Sequence, residues 1–142
     1  MEIMTQKELE DFLSKPNLAR IATVGKNCTP HIAPVWFIYE NGAIIIGTSK
    51  ASKKIKNIRN NPDVAISIDT SDAKAGNRGA IFSGKAELVE TDSEETIKKL
   101  CIKYLGNLED PVAKQLLQVR ERSIIKLKPQ KTISWDSSKM GK

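Results

Sequence analysis

Residues 43–69 spell AIIIGTSKASKKIKNIRNNPDVAISID, and their order narrows the possible folds more than any other stretch of the chain. Ala43, Ile44, Ile45 and Ile46 make a continuous apolar run between Asn41-Gly42 and Gly47, the pattern of a strand covered on both faces. Val64, Ala65, Ile66, Ser67 and Ile68 make a second strand, set off by the breaker Asn60-Asn61-Pro62. The linking segment reads as a loop followed by a short helix.

In that helix Ser52 stands at the N-cap, and Ile55 and Ile58 supply an i, i+3 apolar pair. Lys53 and Lys54 then fall in the first turn, where cations oppose the helix dipole at a cost of ~0.3–1 kcal/mol each. An anion held there by the free N–H groups, the hydroxyls of Thr48 and Ser49, and the two ammoniums would reverse that cost. The segment therefore has the chemistry of a phosphate site. A solvated lysine face is the alternative reading of the same residues.

The rest of the chain alternates short strands with turns. Thr5 and Glu8 form a capping box, and Leu9, Phe12 and Leu13 follow at helical spacing as far as Pro16. A strand over residues 18–24 turns at Gly25 and returns over residues 29–39, where Pro30 and Pro34 confine part of it to an edge, a bulge or a ligand. A polar loop leads to a long strand over residues 79–90, whose Gly84 marks a bend or bulge. Thr91, Asp92 and Ser93 cap a helix carrying Ile97, Leu100, Cys101 and Tyr104 and stopped by Gly106. Asp110-Pro111 opens another, with Val112, Leu116 and Val119 along one side. Residues 123–129 and 132–135 are the last strands, and the polar tail 136–142 is expected to fray. Six or seven strands, roughly counted and joined mostly by hairpins, predict one domain over residues 1–142, a small antiparallel β-barrel with peripheral helices.

Composition removes several function classes. With two cysteines, Cys28 and Cys101, far apart, and one histidine, His31, neither a disulfide framework nor a metal cluster is indicated. The formal charge of +6 is spread over scattered residues without a nucleic-acid-binding motif, which argues against DNA or RNA as partner. No apolar run approaches the ~20 residues of a membrane span, and the acidic N-terminal stretch is unlike a leader, so a cytoplasmic location is expected. No catalytic acid or base stands out, and the reaction chemistry is expected to belong to a cofactor.

Four segments carry a family resemblance: residues 46–62 with T-S-x-x-S-K-K-x-x-N-I-x-x-N-P after a strand, residues 30–37 with P-x-x-x-P-V-W-F, the G-x-A-E-L-V strand from Gly84, and the closing I-S-W at Trp135. Their order resembles the pyridoxamine 5'-phosphate oxidase-like, FMN-binding split-barrel family over almost the whole chain. The resemblance implies a split barrel binding FMN, with Thr48, Ser49, Ser52, Lys53 and Lys54 on the flavin phosphate and Ala33, Pro34, Val35 and Trp36 along the isoalloxazine. It also implies a homodimer in which Arg78 or Trp135 reaches the ring of the other chain. The true vitamin B6 oxidases have an arginine where the flavin strand begins, near His31 here, and a C-terminal arginine-rich segment that binds the substrate phosphate; this chain has neither, which points to the shorter relatives, some of which use a deazaflavin. The implied function is a flavin-dependent oxidoreductase acting on a small substrate or electron donor. A non-catalytic flavin-binding or storage protein and a deazaflavin-dependent reductase are the alternatives.

Overall fold

The computed structural model describes residues 3–91 and 93–139. Its elements are α1 (Gln6–Leu13), β1 (Ala19–Val24), β2 (Pro30–Val35), β3 (Ile38–Glu40), β4 (Ala43–Ser49), α2 (Lys53–Asn60), β5 (Asp63–Asp72), β6 (Gly76–Val89), α3 (Ser93–Leu105), α4 (Pro111–Gln118), β7 (Arg122–Leu127) and β8 (Lys131–Asp136). All strand pairings are antiparallel, in the order β2-β1-β5-β6-β7-β4-β3, with β8 added to β6.

The described residues hold eight strands rather than the six or seven expected, because the returning strand over residues 29–39 divides at Trp36-Phe37. Its halves lie at opposite ends of the sheet path, β2 against β1 and β3 against β4. Three backbone steps from Val35 to Ile38 reach at most ~11 Å. Seven strands laid flat at ~4.8 Å spacing would span ~29 Å. The sheet must therefore curl until its two edges nearly meet, which makes a barrel split along one seam. Pro30 and Pro34 fall on β2, at the edge where a missing N–H costs the ladder nothing.

At the seam Phe37 is fully buried, and its backbone groups lie outside any ladder. The Phe37 N–H donates to Tyr104 Oη (3.2 Å), and the Phe37 carbonyl accepts from Lys103 Nζ (2.9 Å). The same two side chains tie α3 to the α1–β1 connection, since Lys103 Nζ also donates to the Leu13 carbonyl (2.8 Å) and Tyr104 Oη to the Asn17 carbonyl (2.6 Å). Buried polar groups need such partners, and these place α3 over the outer face of β4.

β4 is covered on both faces, as its apolar run predicts. Ile44 and Ile46 are fully buried in the barrel with Ile21, Ile66, Phe82, Ile125 and Leu127. Ile45 turns outward to a second cluster formed by Ile97, Leu100, Cys101 and Ala113 of α3 and α4. Gly84 lies where β6 changes neighbour from β8 to β7. A Cβ there would come 3.1 Å from the backbone nitrogen of Gln130.

The helix signals are met at α1, where the Thr5–Glu8 capping box is formed, and at α4, where Asp110 caps the N–H of Val112. Gly106, at φ +89°, ends α3, while Asp92 lies outside the described residues. Two expectations are corrected. Ser52 occupies the N-cap of α2, but its side chain makes no capping bond; its hydroxyl instead accepts from Thr48 Oγ1 at 3.4 Å. The tail does not fray from Asp136, because Ser137 Oγ accepts from the N–H of Asn77 (2.6 Å) and Lys139 pairs with Glu8 (2.7 Å). Residues 140–142 lie outside the described ones.

One buried polar bond fixes α2 to the barrel: Asn57 Nδ2 donates to Thr23 Oγ1 at 3.0 Å, and both side chains are almost fully buried. Removing the acceptor while keeping its shape leaves a buried amide unpaired, at about 1–3 kcal/mol. Thr23→Val is accordingly predicted to lower the free energy of unfolding by about 1–3 kcal/mol in urea titrations; an unchanged midpoint would mean that this bond does not anchor the helix.

Candidate functional site

Between the outer face of β4 and the helices α3 and α4 lies a cleft of about 590 Å³, within the usual range for a small-molecule site. Gly47, Thr48 and Ser49 of β4 form its base. Gly47 lets α3 cross the strand closely: a Cβ would stand 2.6 Å from Ile97 Cδ1 and 3.3 Å from Leu100 Cδ1, and those side chains would have to shift to admit it. Pro34 and Val35 of β2, Trp36 at the seam, and Val112 and Leu116 of α4 complete the largely apolar walls. Trp36 is held flat against Tyr104, with ring centroids 4.6 Å apart and planes within 3°.

Polar groups gather where β4 ends. Ser49 is the register partner of Arg122, which opens β7, and Lys54 sits in the first turn of α2 immediately after β4. Both cations line the cleft, and burial pulls both below their ordinary pKa values. Arg122 Nη2 donates to the Leu116 carbonyl at 3.1 Å, while its Nε is buried without a partner. Among the described residues neither Lys54 nor Arg122 has a carboxylate within ion-pair distance. Partly burying a cation without a counter-charge is costly, and an anion bound beside Lys54 and Arg122 would offset that cost. The remaining titratable group of the lining is Cys101, a fully buried thiol whose pKa burial pushes up.

The structure brings together six of the residues singled out from the sequence: Pro34, Val35, Trp36, Thr48, Ser49 and Lys54. Ser52 stands behind them, bonded to Thr48. Lys53 does not line the cleft. Successive helical residues point about 100° apart, so Lys53 projects beside Gly25 and Lys26 on the other side of α2. Of the four lysines in this segment, Lys50 pairs with Glu90 (2.8 Å) and Lys53 and Lys56 face solvent, so the solvated-face description applies to those two. Ala33 packs against the barrel core, and His31 is half-buried on β2 and outside the lining. Arg78 pairs with Asp136 at 3.6 Å, Trp135 lies over Gly79 on β8, and neither reaches the cleft of its own chain.

Sequence reasoning missed Arg122, because it began the seventh strand one residue late, at Ser123. An arginine directly before an apolar strand was the available signal. It also placed Val112 along one side of the last helix without giving it a role; this side chain is 46% exposed and lines the cleft.

Among the described residues no group of three histidine, cysteine, aspartate or glutamate side chains could hold a metal ion, and no helix is long and apolar enough to cross a membrane. A comparison with curated proteins gives no match. Among solved structures, the chain is similar to the conserved hypothetical protein Rv2991 from Mycobacterium tuberculosis, at 26% identity and a TM-score of 0.86 over 99% of this chain and 90% of that one. It is similar to an F420 reductase at 27% identity and a TM-score of 0.70, covering 87% and 94% of the two chains. HutZ, the heme storage protein from Vibrio cholerae, shares the fold at 18% identity and a TM-score of 0.72, covering 94% of each. Residues 5–136 match the model of the family described as pyridoxamine 5'-phosphate oxidase, which takes in both the barrel and the cleft: the chain belongs to that family.

Proposed function

We propose that the chain binds a flavin-type cofactor, FMN or a deazaflavin, in the cleft beside β4 and forms with it a flavin-dependent oxidoreductase. The observation that carries this reading is the pair of uncompensated cations, Lys54 and Arg122, beside the hydroxyls of Thr48 and Ser49 at one end of an otherwise apolar cleft. A flavin nucleotide has the matching polarity, with a phosphate at one end and a flat ring at the other. The membership of the family and the 27% identity to an F420 reductase support the same ligand class.

In this reading Lys54 and Arg122 hold the phosphate by charge-assisted hydrogen bonds, each worth about 1.5–3 kcal/mol. The hydroxyls of Thr48 and Ser49 donate to the same oxygens. Pro34, Val35 and Trp36 exclude water from the ring, and the Trp36–Tyr104 stack keeps that wall rigid. The cofactor supplies the electron chemistry; these residues supply position and field.

The proposal includes a homodimer formed through the outer face of the sheet. Side chains alternate across strands, so the rows Pro34-Arg20-Ser67-Ile81-Ile133 and Ile32-Ala22-Ala65-Ser83-Lys131 lie on one face. Ile32 is 67% exposed there, and Ile81 and Ile133 are also open to solvent. Exposed isoleucines set among Arg20, Ser67, Ser83 and Lys131 suit a second copy. Pro34 belongs both to this face and to the cleft, so the partner would close the open side of the cofactor site.

Two outcomes are predicted. Lys54→Ala and Arg122→Ala each weaken FMN binding at least ~10-fold in fluorescence-quenching titrations at low salt, equivalent to about 1.4 kcal/mol, while Lys53→Ala changes it less than ~2-fold; unchanged affinity in both cleft variants would refute the phosphate site. In light scattering the protein has twice the chain mass and Ile32→Lys reduces it to the chain mass; a wild-type monomer at micromolar concentration would remove the dimer.

A further inference from the structure

The side of α2 turned away from the cofactor cleft closes a separate concavity. A cavity of about 420 Å³ lies between α2 and the connection from β1 to β2, and it shares no lining residue with the cleft beside β4. Its size suits a small metabolite.

The charges that line it are all of one sign. Lys26, Lys53 and Lys56 stand exposed on its rim, and no carboxylate lines it. Among the described residues none of the three has a carboxylate within ion-pair distance. Lysines alone would make only a solvated rim; the floor of the cavity distinguishes it. Asn57 is 4% exposed, and its Nδ2 is spent on Thr23 Oγ1. Its Oδ1 has no donor among the described residues and opens on the cavity beside Gly25, where an added Cβ would stand 3.3 Å from it. A carboxamide oxygen accepts only, so it calls for an N–H or O–H from a ligand. The hydroxyl of Thr29 and the amide of Asn60, also in the lining, can donate or accept. A bare anion would satisfy the rim and leave the floor unmatched.

We propose that this cavity binds a small phosphorylated sugar, its phosphate held by the lysine rim and one of its hydroxyls donating to Asn57 Oδ1. Ammonium groups are compact donors that reach phosphate oxygens from several directions. A phosphate there also offsets the unfavourable place of Lys53 in the first turn of α2. The site is independent of the flavin reading, because Lys54 faces the cleft and Lys53 faces this cavity.

Calorimetric titration of the full chain with ribose 5-phosphate, ribose and inorganic phosphate tests the proposal. Ribose 5-phosphate binds at least ~10-fold more tightly than either of the others. Lys26→Ala/Lys56→Ala weakens it at least ~10-fold, whereas Lys54→Ala/Arg122→Ala changes it less than ~2-fold. Gly25, whose φ of −86° an alanine also adopts, supplies the second variant: Gly25→Ala sets a methyl group against Asn57 Oδ1 without changing charge, and cuts the preference over inorganic phosphate to ~2-fold or less. Inorganic phosphate bound as tightly as ribose 5-phosphate would mean an adventitious ion only and would overturn the proposal. So would absence of binding, or affinity that depends on Lys54 and Arg122 instead of Lys26 and Lys56.

Discussion

The fold depends on a two-residue bridge. Trp36 and Phe37 connect strands at opposite ends of the sheet path, and so short a link forces the sheet to close on itself. Closure leaves the Phe37 backbone buried and outside the ladder, and Lys103 and Tyr104 of α3 supply its partners. The lysine is an expensive choice. Its ammonium stands 3.6 Å from the Phe37 ring centroid, and burial pulls its pKa down to about 8. Two backbone carbonyls and an aromatic face offset that desolvation. With α3 fixed there, its apolar side meets β4 at Gly47, and the space left between strand and helices is the cleft.

The electrostatics of the cleft follow from that placement. Lys54 enters because α2 begins directly after β4 and is anchored to β1 by the buried Asn57–Thr23 bond. Arg122 enters because it pairs with Ser49 across the ladder. Neither position is set by an ion pair; backbone geometry holds both cations where solvent is partly excluded. Packing alone gives no reason for two like charges in one apolar cleft, whereas an anionic ligand does.

Much of this was legible in the sequence where one physical rule acts locally. The capping box at Thr5, the Asp110-Pro111 helix start, the stop at Gly106 and the doubly covered β4 all follow from nearest-neighbour chemistry. What escaped notice depends on contacts distant in sequence. The break at Trp36-Phe37 is stabilised by residues some 67 positions later. Arg122 acquires its setting from β4, and Lys53 loses its expected place because adjacent helical residues cannot share a direction. Ser52 looks like a capping side chain because the motif is local, yet its hydroxyl is taken up by Thr48.

The central claim is that the cationic end of the cleft is a phosphate site. Parallel titrations of the wild-type protein with FMN and with riboflavin, which share the ring and differ by the phosphate, measure that end alone. The account predicts that FMN binds at least ~10-fold more tightly at low salt, about 1.4 kcal/mol, and that the preference shrinks as salt rises. Equal affinity for the two, at any salt concentration, would contradict it.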